Sequence, residues 1–164
     1  MFGGKVVFSS SIHLISVITG ISTFLGMAIL EECIFRGILR SAFGVYGETL
    51  SVIIPTVLFT FMHTDLWINF KLIKLIELFC AGILFGVIML ISKSLTCVVI
   101  AHSLYNIISS IFLGIESKEG ILETIMPISI FNLPGEQVIK IIFIVIQMSV
   151  ISFLILKNRK SSFA

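Results

Sequence analysis

The chain has 164 residues, of which 57% are hydrophobic and only 12% are charged, and its mean hydropathy is +1.17. This composition excludes an ordinary soluble domain and is typical of an integral membrane protein. The net charge is only +2 and no basic block precedes the C-terminal KNRK, so nucleic-acid binding is not indicated. The three cysteines lie within apolar runs without CxxC spacing, which fits neither a disulfide framework nor a zinc knuckle.

The apolar runs predict five helical segments within a single membrane domain that covers residues 1–164. The first segment, residues 10–43, is long for one span, so we expect a strong tilt, a break near Gly20 or protrusion beyond the hydrocarbon. The second segment, residues 50–63, is short and contains Pro55, which predicts a kink. The chain therefore begins with one overlong and one short apolar helix.

Three further segments, residues 72–91, 95–113 and 138–156, are long enough to cross a bilayer. Residues 115–137 hold four glutamates and two prolines, which predicts an extramembrane loop with room for a short interfacial helix. The basic residues at the C-terminus favour a cytoplasmic location for that end. The predicted fold is therefore all-α, a polytopic transmembrane helical bundle of about five membrane helices.

Several ionisable side chains interrupt the first apolar run, where each is costly unless it is paired or functional. Glu32 and Arg36 are one helical turn apart and can form an ion pair that partly neutralises both, for which a structural role is favoured. Glu31 is rotated about 100° from Glu32 on an α-helix and lacks that local partner. Such an acid suits a general base or a group that binds water.

Two other segments carry polar residues at the same four-residue spacing. His102 and Asn106 project from one face of the fourth segment, and Phe59 and His63 are four apart on the second. Taken singly, His63 can be an interfacial group, and His102 and Asn106 can form hydrogen bonds between helices. Taken together, polar groups on three helices could meet Glu31 at one point, and this convergence indicates chemistry.

Three motifs occur in order along the chain: EECIFR at residues 31–36, FTFMH at residues 59–63 and HSLYN at residues 102–106. They match the pattern EExxxR, FxxxH and HxxxN or HxxxD. The chain thereby resembles the CPBP intramembrane proteases, which include the Rce1-type CAAX prenyl endopeptidases and the bacterial Abi proteins linked to bacteriocin immunity. The resemblance covers residues 29–113 well.

The resemblance implies that Glu31 is the general base and that His63 helps it to hold the attacking water. His102 and Asn106 would stabilise the oxyanion of the tetrahedral intermediate. The residue types also allow a metalloprotease, in which Glu31, His63 and His102 hold Zn²⁺ and leave a position open for water. No HExxH motif is present. The sequence leaves the glutamate and zinc mechanisms open.

The predicted function is an intramembrane endopeptidase that cuts a membrane-associated peptide or protein, with Glu32, Arg36 and Phe59 as supporting residues. Its expected location is the bacterial plasma membrane, and its partners are the substrate and the lipid bilayer. The alternative is a non-proteolytic immunity or scaffold protein that binds a bacteriocin peptide or partner helices. A proton-coupled transporter is less favoured, because no repeat symmetry or paired broken helices are visible.

Overall fold

The computed structural model describes residues 5–8, 14–64, 71–112, 122–125 and 135–161. Within these ranges the chain forms five continuous helical stretches, and this confirms the predicted all-α bundle. In chain order the elements are α1 (Leu14–Glu32), π1 (Cys33–Leu39), α2 (Arg40–Gly44), α3 (Glu48–Met62), α4 (Leu72–Ser92), α5 (Leu95–Asn106), π2 (Ile107–Phe112) and α6 (Gly135–Ser161). Elements α1, π1 and α2 form one stretch, and α5 and π2 form another.

Three helices in the described part of the chain are long and apolar enough to cross a membrane, at Val17–Gly44, Leu72–Ser92 and Gln137–Asn158. The remaining apolar helices, Glu48–Met62 and Leu95–Ser110, are shorter. At a rise of about 1.5 Å per residue, a helix the length of α3 covers only ~22 Å of a hydrocarbon core of ~30 Å. Two of the five predicted membrane helices are thus short of a full crossing.

The chain divides into two compact units. One contains Met1–Leu30 and Val99–Val138, and the other contains Glu31–Val98 and Ile139–Ala164. The single membrane domain predicted from the sequence stays a prediction.

The first helical stretch runs unbroken through Gly20, so the break considered there is wrong. One glycine costs a helix about 1 kcal/mol, which a long apolar helix tolerates. The irregularity comes instead at π1, which begins directly after Glu31 and Glu32. Similarly, π2 begins directly after Asn106. Segments of π-helix are rare in proteins, and those that occur are often found at functional sites. Both the EExxxR and the HxxxN motif stand at a change from α-helix to π-helix.

Helix α3 begins and ends at special backbone positions. Gly47 precedes it with φ of +107°, a conformation that favours glycine and turns the chain out of α2. The helix continues through Pro55 to Met62, and the next residue, His63, caps its C-terminus with φ of −101° and ψ of 0°. His63 is therefore a helix-terminal residue, and the predicted kink at Pro55 stays a prediction.

A short antiparallel pair of strands lies outside the helices, β1 (Lys5–Phe8) with β2 (Leu122–Ile125). Lys5 pairs with Ile125 and Phe8 pairs with Leu122. Strand β2 replaces part of the loop predicted at residues 115–137, because the pairing with β1 gives its backbone groups partners that a local pattern does not reveal. The interfacial helix considered for the rest of this loop lies outside the described residues.

Helices α3 and α4 pack closely through two glycines. A Cβ on Gly82 would lie 2.7 Å from Cγ2 of Thr56, and a Cβ on Gly86 would lie 2.6 Å from Cγ1 of Val52. The sequence GILFG at residues 82–86 is thus a small-xxx-small contact, the means by which membrane helices approach each other. This contact sets the distance at which α3 and α4 pack.

We expect Gly86→Ala to destabilise the protein, because the added methyl group overlaps Val52. Overpacking of this kind costs about 1–3 kcal/mol in the free energy of unfolding. Thermal unfolding in detergent measures the loss. The control is Gly26→Ala, since a Cβ on Gly26 meets no atom within 4 Å. Equal stability of the two variants would contradict the close contact.

Candidate active site

The carboxylate of Glu31 and the imidazole of His63 lie in contact. The distance from His63 Nε2 to Glu31 Oε1 is 3.4 Å, and the side chains are 32% and 18% exposed, respectively. Glu31 stands one residue before the change from α1 to π1, within the first helical stretch, and His63 directly follows the last residue of α3. The contact joins residues 32 positions apart and leaves both side chains partly accessible.

The other imidazole nitrogen fixes the tautomer of His63. Nδ1 lies 2.8 Å from the carbonyl oxygen of Phe59, and because a carbonyl only accepts, Nδ1 carries a proton and donates it. In a neutral ring Nε2 is then an acceptor, and it faces a carboxylate oxygen of Glu31. Two acceptors that face each other repel. A proton on either Nε2 or the Glu31 oxygen, or a water that donates to both atoms, removes this repulsion. The pair is thereby arranged to hold a proton or a water molecule.

Phe59 holds the His63 ring from a second side. The two ring centroids are 4.3 Å apart with an angle of 34° between the planes. Phe35, from π1, meets Phe59 edge-on at 5.3 Å and 86°. Phe59 is only 2% exposed. Its carbonyl and its ring thus both restrict the orientation of the imidazole.

The ion pair between Glu32 and Arg36 is present as the spacing suggested. Arg36 Nη1 donates to Glu32 Oε1 at 3.0 Å, and the side chains are 2% and 0% exposed. Arg36 lies in π1, yet the one-turn contact is kept. Arg36 Nη2 also donates to the carbonyl oxygen of Gly82 on α4 at 2.9 Å. The pair therefore connects the first helical stretch to α4.

Three phenylalanine rings surround the Arg36 guanidinium. Its Cζ lies 5.1 Å from the ring centroid of Phe59, 5.5 Å from that of Phe85 and 5.9 Å from that of Phe35. These distances allow cation–π attraction in a buried setting. The aromatic surroundings supply part of the stabilisation that burial of a charge requires.

The sequence reasoning missed Gly82, Phe35 and Phe85. The GILFG spacing is a signal that could have indicated Gly82 as a contact residue. Nothing distinguishes Phe35 and Phe85 among the 15 phenylalanines of the chain. Ring contacts with Arg36 become visible only when the helices are placed in space.

His102 and Asn106 lie one turn apart on α5, as predicted. The His102 side chain is 3% exposed, and Asn106 is half-buried and is the last residue of α5. The hydroxyl group of Ser109, in π2, donates a hydrogen bond to the main-chain carbonyl oxygen of Asn106 at 3.2 Å. His102 and Asn106 belong to one compact unit, and Glu31 and His63 belong to the other. The predicted convergence of His102 and Asn106 on the Glu31–His63 pair therefore stays a prediction.

In the residues that the structure describes, no group of three or more His, Cys, Asp or Glu side chains is placed to hold a metal ion. Glu31 and His63 supply two donors, whereas a catalytic zinc usually takes three protein ligands. These two residues alone do not fit a zinc centre. The full zinc set of Glu31, His63 and His102 stays a prediction.

A family model described as Rce1-like, type II CAAX prenyl endopeptidase, matches residues 13–108, which is more than half of the chain. The chain belongs to this family. Comparison with curated proteins and with solved structures found no match. The family match of this Rce1-like protein includes all three motifs and confirms the resemblance inferred from them. The apolar helices agree with a protease family that acts at the membrane, and they make the Rce1-like chain an integral membrane protein.

Proposed function

We propose that this Rce1-like protein is an intramembrane endopeptidase in which Glu31 is the general base that activates water. The observation that carries the proposal is the contact of 3.4 Å between His63 Nε2 and Glu31 Oε1. Proton transfer by a positioned carboxylate requires hydrogen-bond reach of the water and partial shielding from bulk solvent. The half-buried pair supplies both conditions.

Water binding follows from the fixed tautomer of His63. A water between the two residues donates one proton to Glu31 and directs the other toward Nε2. Glu31 takes its proton as the water oxygen attacks the carbonyl carbon of the scissile peptide bond. The intermediate then collapses, the C–N bond breaks, and the same proton passes to the leaving nitrogen. His63 keeps its bond to the Phe59 carbonyl throughout, so only the Nε2 side takes part.

The developing oxyanion needs donors, and His102 and Asn106 are the proposed pair. Preorganised donors at such a position typically contribute about 10²–10³-fold in rate each. Glu32, Arg36 and Phe59 hold the pair in place and do not touch the substrate. In a zinc variant of the proposal, Glu31, His63 and His102 would hold the metal, which would supply an activated water. Sensitivity of cleavage to 1,10-phenanthroline distinguishes that variant.

The proposed location is the bacterial plasma membrane with a cytoplasmic C-terminus. The support is the basic cluster of Lys157, Arg159 and Lys160 at the end of the last apolar helix. The proposed substrate is a membrane-associated peptide or protein. A role in bacteriocin immunity is one physiological setting in which such cleavage could act.

Glu31→Gln is expected to lower peptide cleavage by about 10²–10⁴-fold, because glutamine has the shape of the acid but cannot take a proton. Purified protein in proteoliposomes is assayed with a quenched fluorescent CAAX peptide, with and without a farnesyl group. New N-termini in host membranes are sequenced in parallel, in case the CAAX peptide is a poor substrate. The readout is cleavage that depends on the wild-type protein.

The matched control is Glu48→Gln, an exposed acid in the first turn of α3 that lies away from the pair. It should cleave like wild type. Full cleavage by Glu31→Gln at matched abundance would contradict the proposal. Protection against a bacteriocin that survives Glu31→Gln, without any new N-termini, would instead support the immunity or scaffold function.

A further inference from the structure

Gly82 contacts two other elements through a single backbone position. Its carbonyl oxygen accepts a hydrogen bond from Arg36 Nη2 of π1 at 2.9 Å. Its missing side chain lets Thr56 of α3 approach, since a Cβ would lie 2.7 Å from Thr56 Cγ2. The position of α4 therefore determines both the position of the Arg36 guanidinium and the distance at which α3 can pack.

A continuous series of contacts leads from Gly82 to the catalytic pair. The Arg36 guanidinium carbon is 5.1 Å from the Phe59 ring centroid, and the Phe59 ring is 4.3 Å from the His63 ring. The Phe59 carbonyl oxygen is 2.8 Å from His63 Nδ1. Because Gly82 contacts both Arg36 and α3, a shift of its backbone acts on His63 from two directions.

We propose that Gly82 is a positioning residue for the reaction, which orients His63 toward Glu31 through Arg36 and Phe59. This inference rests on the proposed function of the Glu31–His63 pair. Gly82 touches neither substrate nor the reacting atoms. Its effect is to set the geometry in which Nε2 and the carboxylate share a water.

A packing role alone would treat Gly82 and Gly86 alike. Both lie on α4 against α3, and a Cβ on Gly86 would come 2.6 Å from Val52 Cγ1, about as close as the Gly82 overlap. The hydrogen bond from Arg36 Nη2 goes to Gly82, one turn earlier on the helix. Gly86→Ala is therefore a matched control that overpacks the same pair of helices.

The experiment compares Gly82→Ala with Gly86→Ala in three measurements: unfolding temperature, steady-state kinetics and the ¹⁵N resonances of the His63 imidazole. Resonances are assigned by subtraction with His63→Gln. Both variants should lose similar stability. Only Gly82→Ala should lower kcat, on the order of 10²-fold for a displacement of about 1 Å, with KM little changed. Only Gly82→Ala should also shift the His63 resonances.

Arg36→Lys provides a second variant in case Gly82→Ala fails to fold. Lysine keeps a cation beside Glu32 but cannot reproduce the planar fork that reaches Oε1 and the Gly82 carbonyl together. It leaves the α3–α4 contact untouched and should shift the same His63 resonances. In the double variant Gly82→Ala/Thr56→Ala the contact at 2.7 Å is removed and only the Cβ of residue 56, at 3.3 Å, remains close, so kcat and the resonances should return part of the way toward wild type.

Equal His63 spectra and equal kcat in Gly82→Ala and Gly86→Ala would overturn the inference, as would an unchanged His63 spectrum in Arg36→Lys. Failure of the proposed function would give a different experimental result. In that case Glu31→Gln keeps its cleavage activity, whereas the resonances still report whether Gly82 positions the imidazole.

Discussion

Arg36→Met is expected to reduce the folded fraction of the protein steeply, because it removes the cation that Glu32 contacts in a buried setting. The Glu32 side chain is 0% exposed and its Oε1 accepts from Arg36 at 3.0 Å. Removal of one partner of a buried ion pair costs about 3–5 kcal/mol. That is a factor of roughly 10² to 5 × 10³ in the ratio of folded to unfolded protein. Denaturant titration in mixed micelles and the monodisperse yield after detergent extraction measure the change.

The decisive comparison for Arg36→Met is the double variant Glu32→Gln/Arg36→Met. Replacing both charges removes the desolvation penalty along with the attraction, so most of the stability should return. Arg40→Met is a second control, since Arg40 is half-buried and its Nε has no hydrogen-bond partner among the described residues. If Arg36→Met is as stable as the double variant, the ion pair is not what holds this region.

His63→Gln and His63→Asn are expected to lower kcat by about 10²-fold, because neither amide can at once accept a hydrogen bond from the water at the place of Nε2 and donate to the Phe59 carbonyl, so the water is misplaced. The carboxamide of glutamine can reach the place of Nε2 near Glu31, and that of asparagine the place of Nδ1 near the Phe59 carbonyl. Both variants should fold, since the His63 side chain is 32% exposed and ends a helix. Steady-state kinetics at matched folded amounts checks the result.

The two amides also separate the two contacts of the imidazole. If His63 holds the water only while it keeps both contacts, both variants lose kcat although each keeps one of them. Wild-type kcat in His63→Gln would show that a fixed hydrogen bond to Glu31 is enough. Wild-type kcat in both variants would remove His63 from the proposed mechanism.

Local patterns predicted the helices well because each apolar run is bounded by a clear interruption. The segment predicted at residues 72–91 corresponds to the helix Leu72–Ser92, and the segment predicted at residues 50–63 corresponds to the helix Glu48–Met62. The contact of Glu32 with Arg36 was also predictable, since a one-turn spacing brings two side chains together on the same helix. Such features depend on neighbours in the chain, which a sequence displays directly.

Other features depend on how far apart in sequence the partners are. The Glu31–His63 contact was expected from polar residues on separate helices and from the order of the three motifs, but its distance required the placement of two helices. The bond from Arg36 to Gly82 could not be predicted, because its acceptor is a main-chain carbonyl and every residue has one. The π-helical segments after Glu32 and Asn106 were also not predicted, since no simple residue pattern indicates the hydrogen-bond spacing of a π-helix.

Two main-chain carbonyls, those of Phe59 and Gly82, each anchor a nitrogen-bearing side chain of the site. A side-chain substitution at either position leaves its carbonyl in the chain, so these anchors are not erased by a change of residue type. They are displaced only when α3 or α4 slides or turns. The chemistry of this site should therefore respond to a substitution at Phe59 or Gly82 only as far as it moves α3 or α4, and also to distant changes, including bilayer thickness, that alter the depth of either helix.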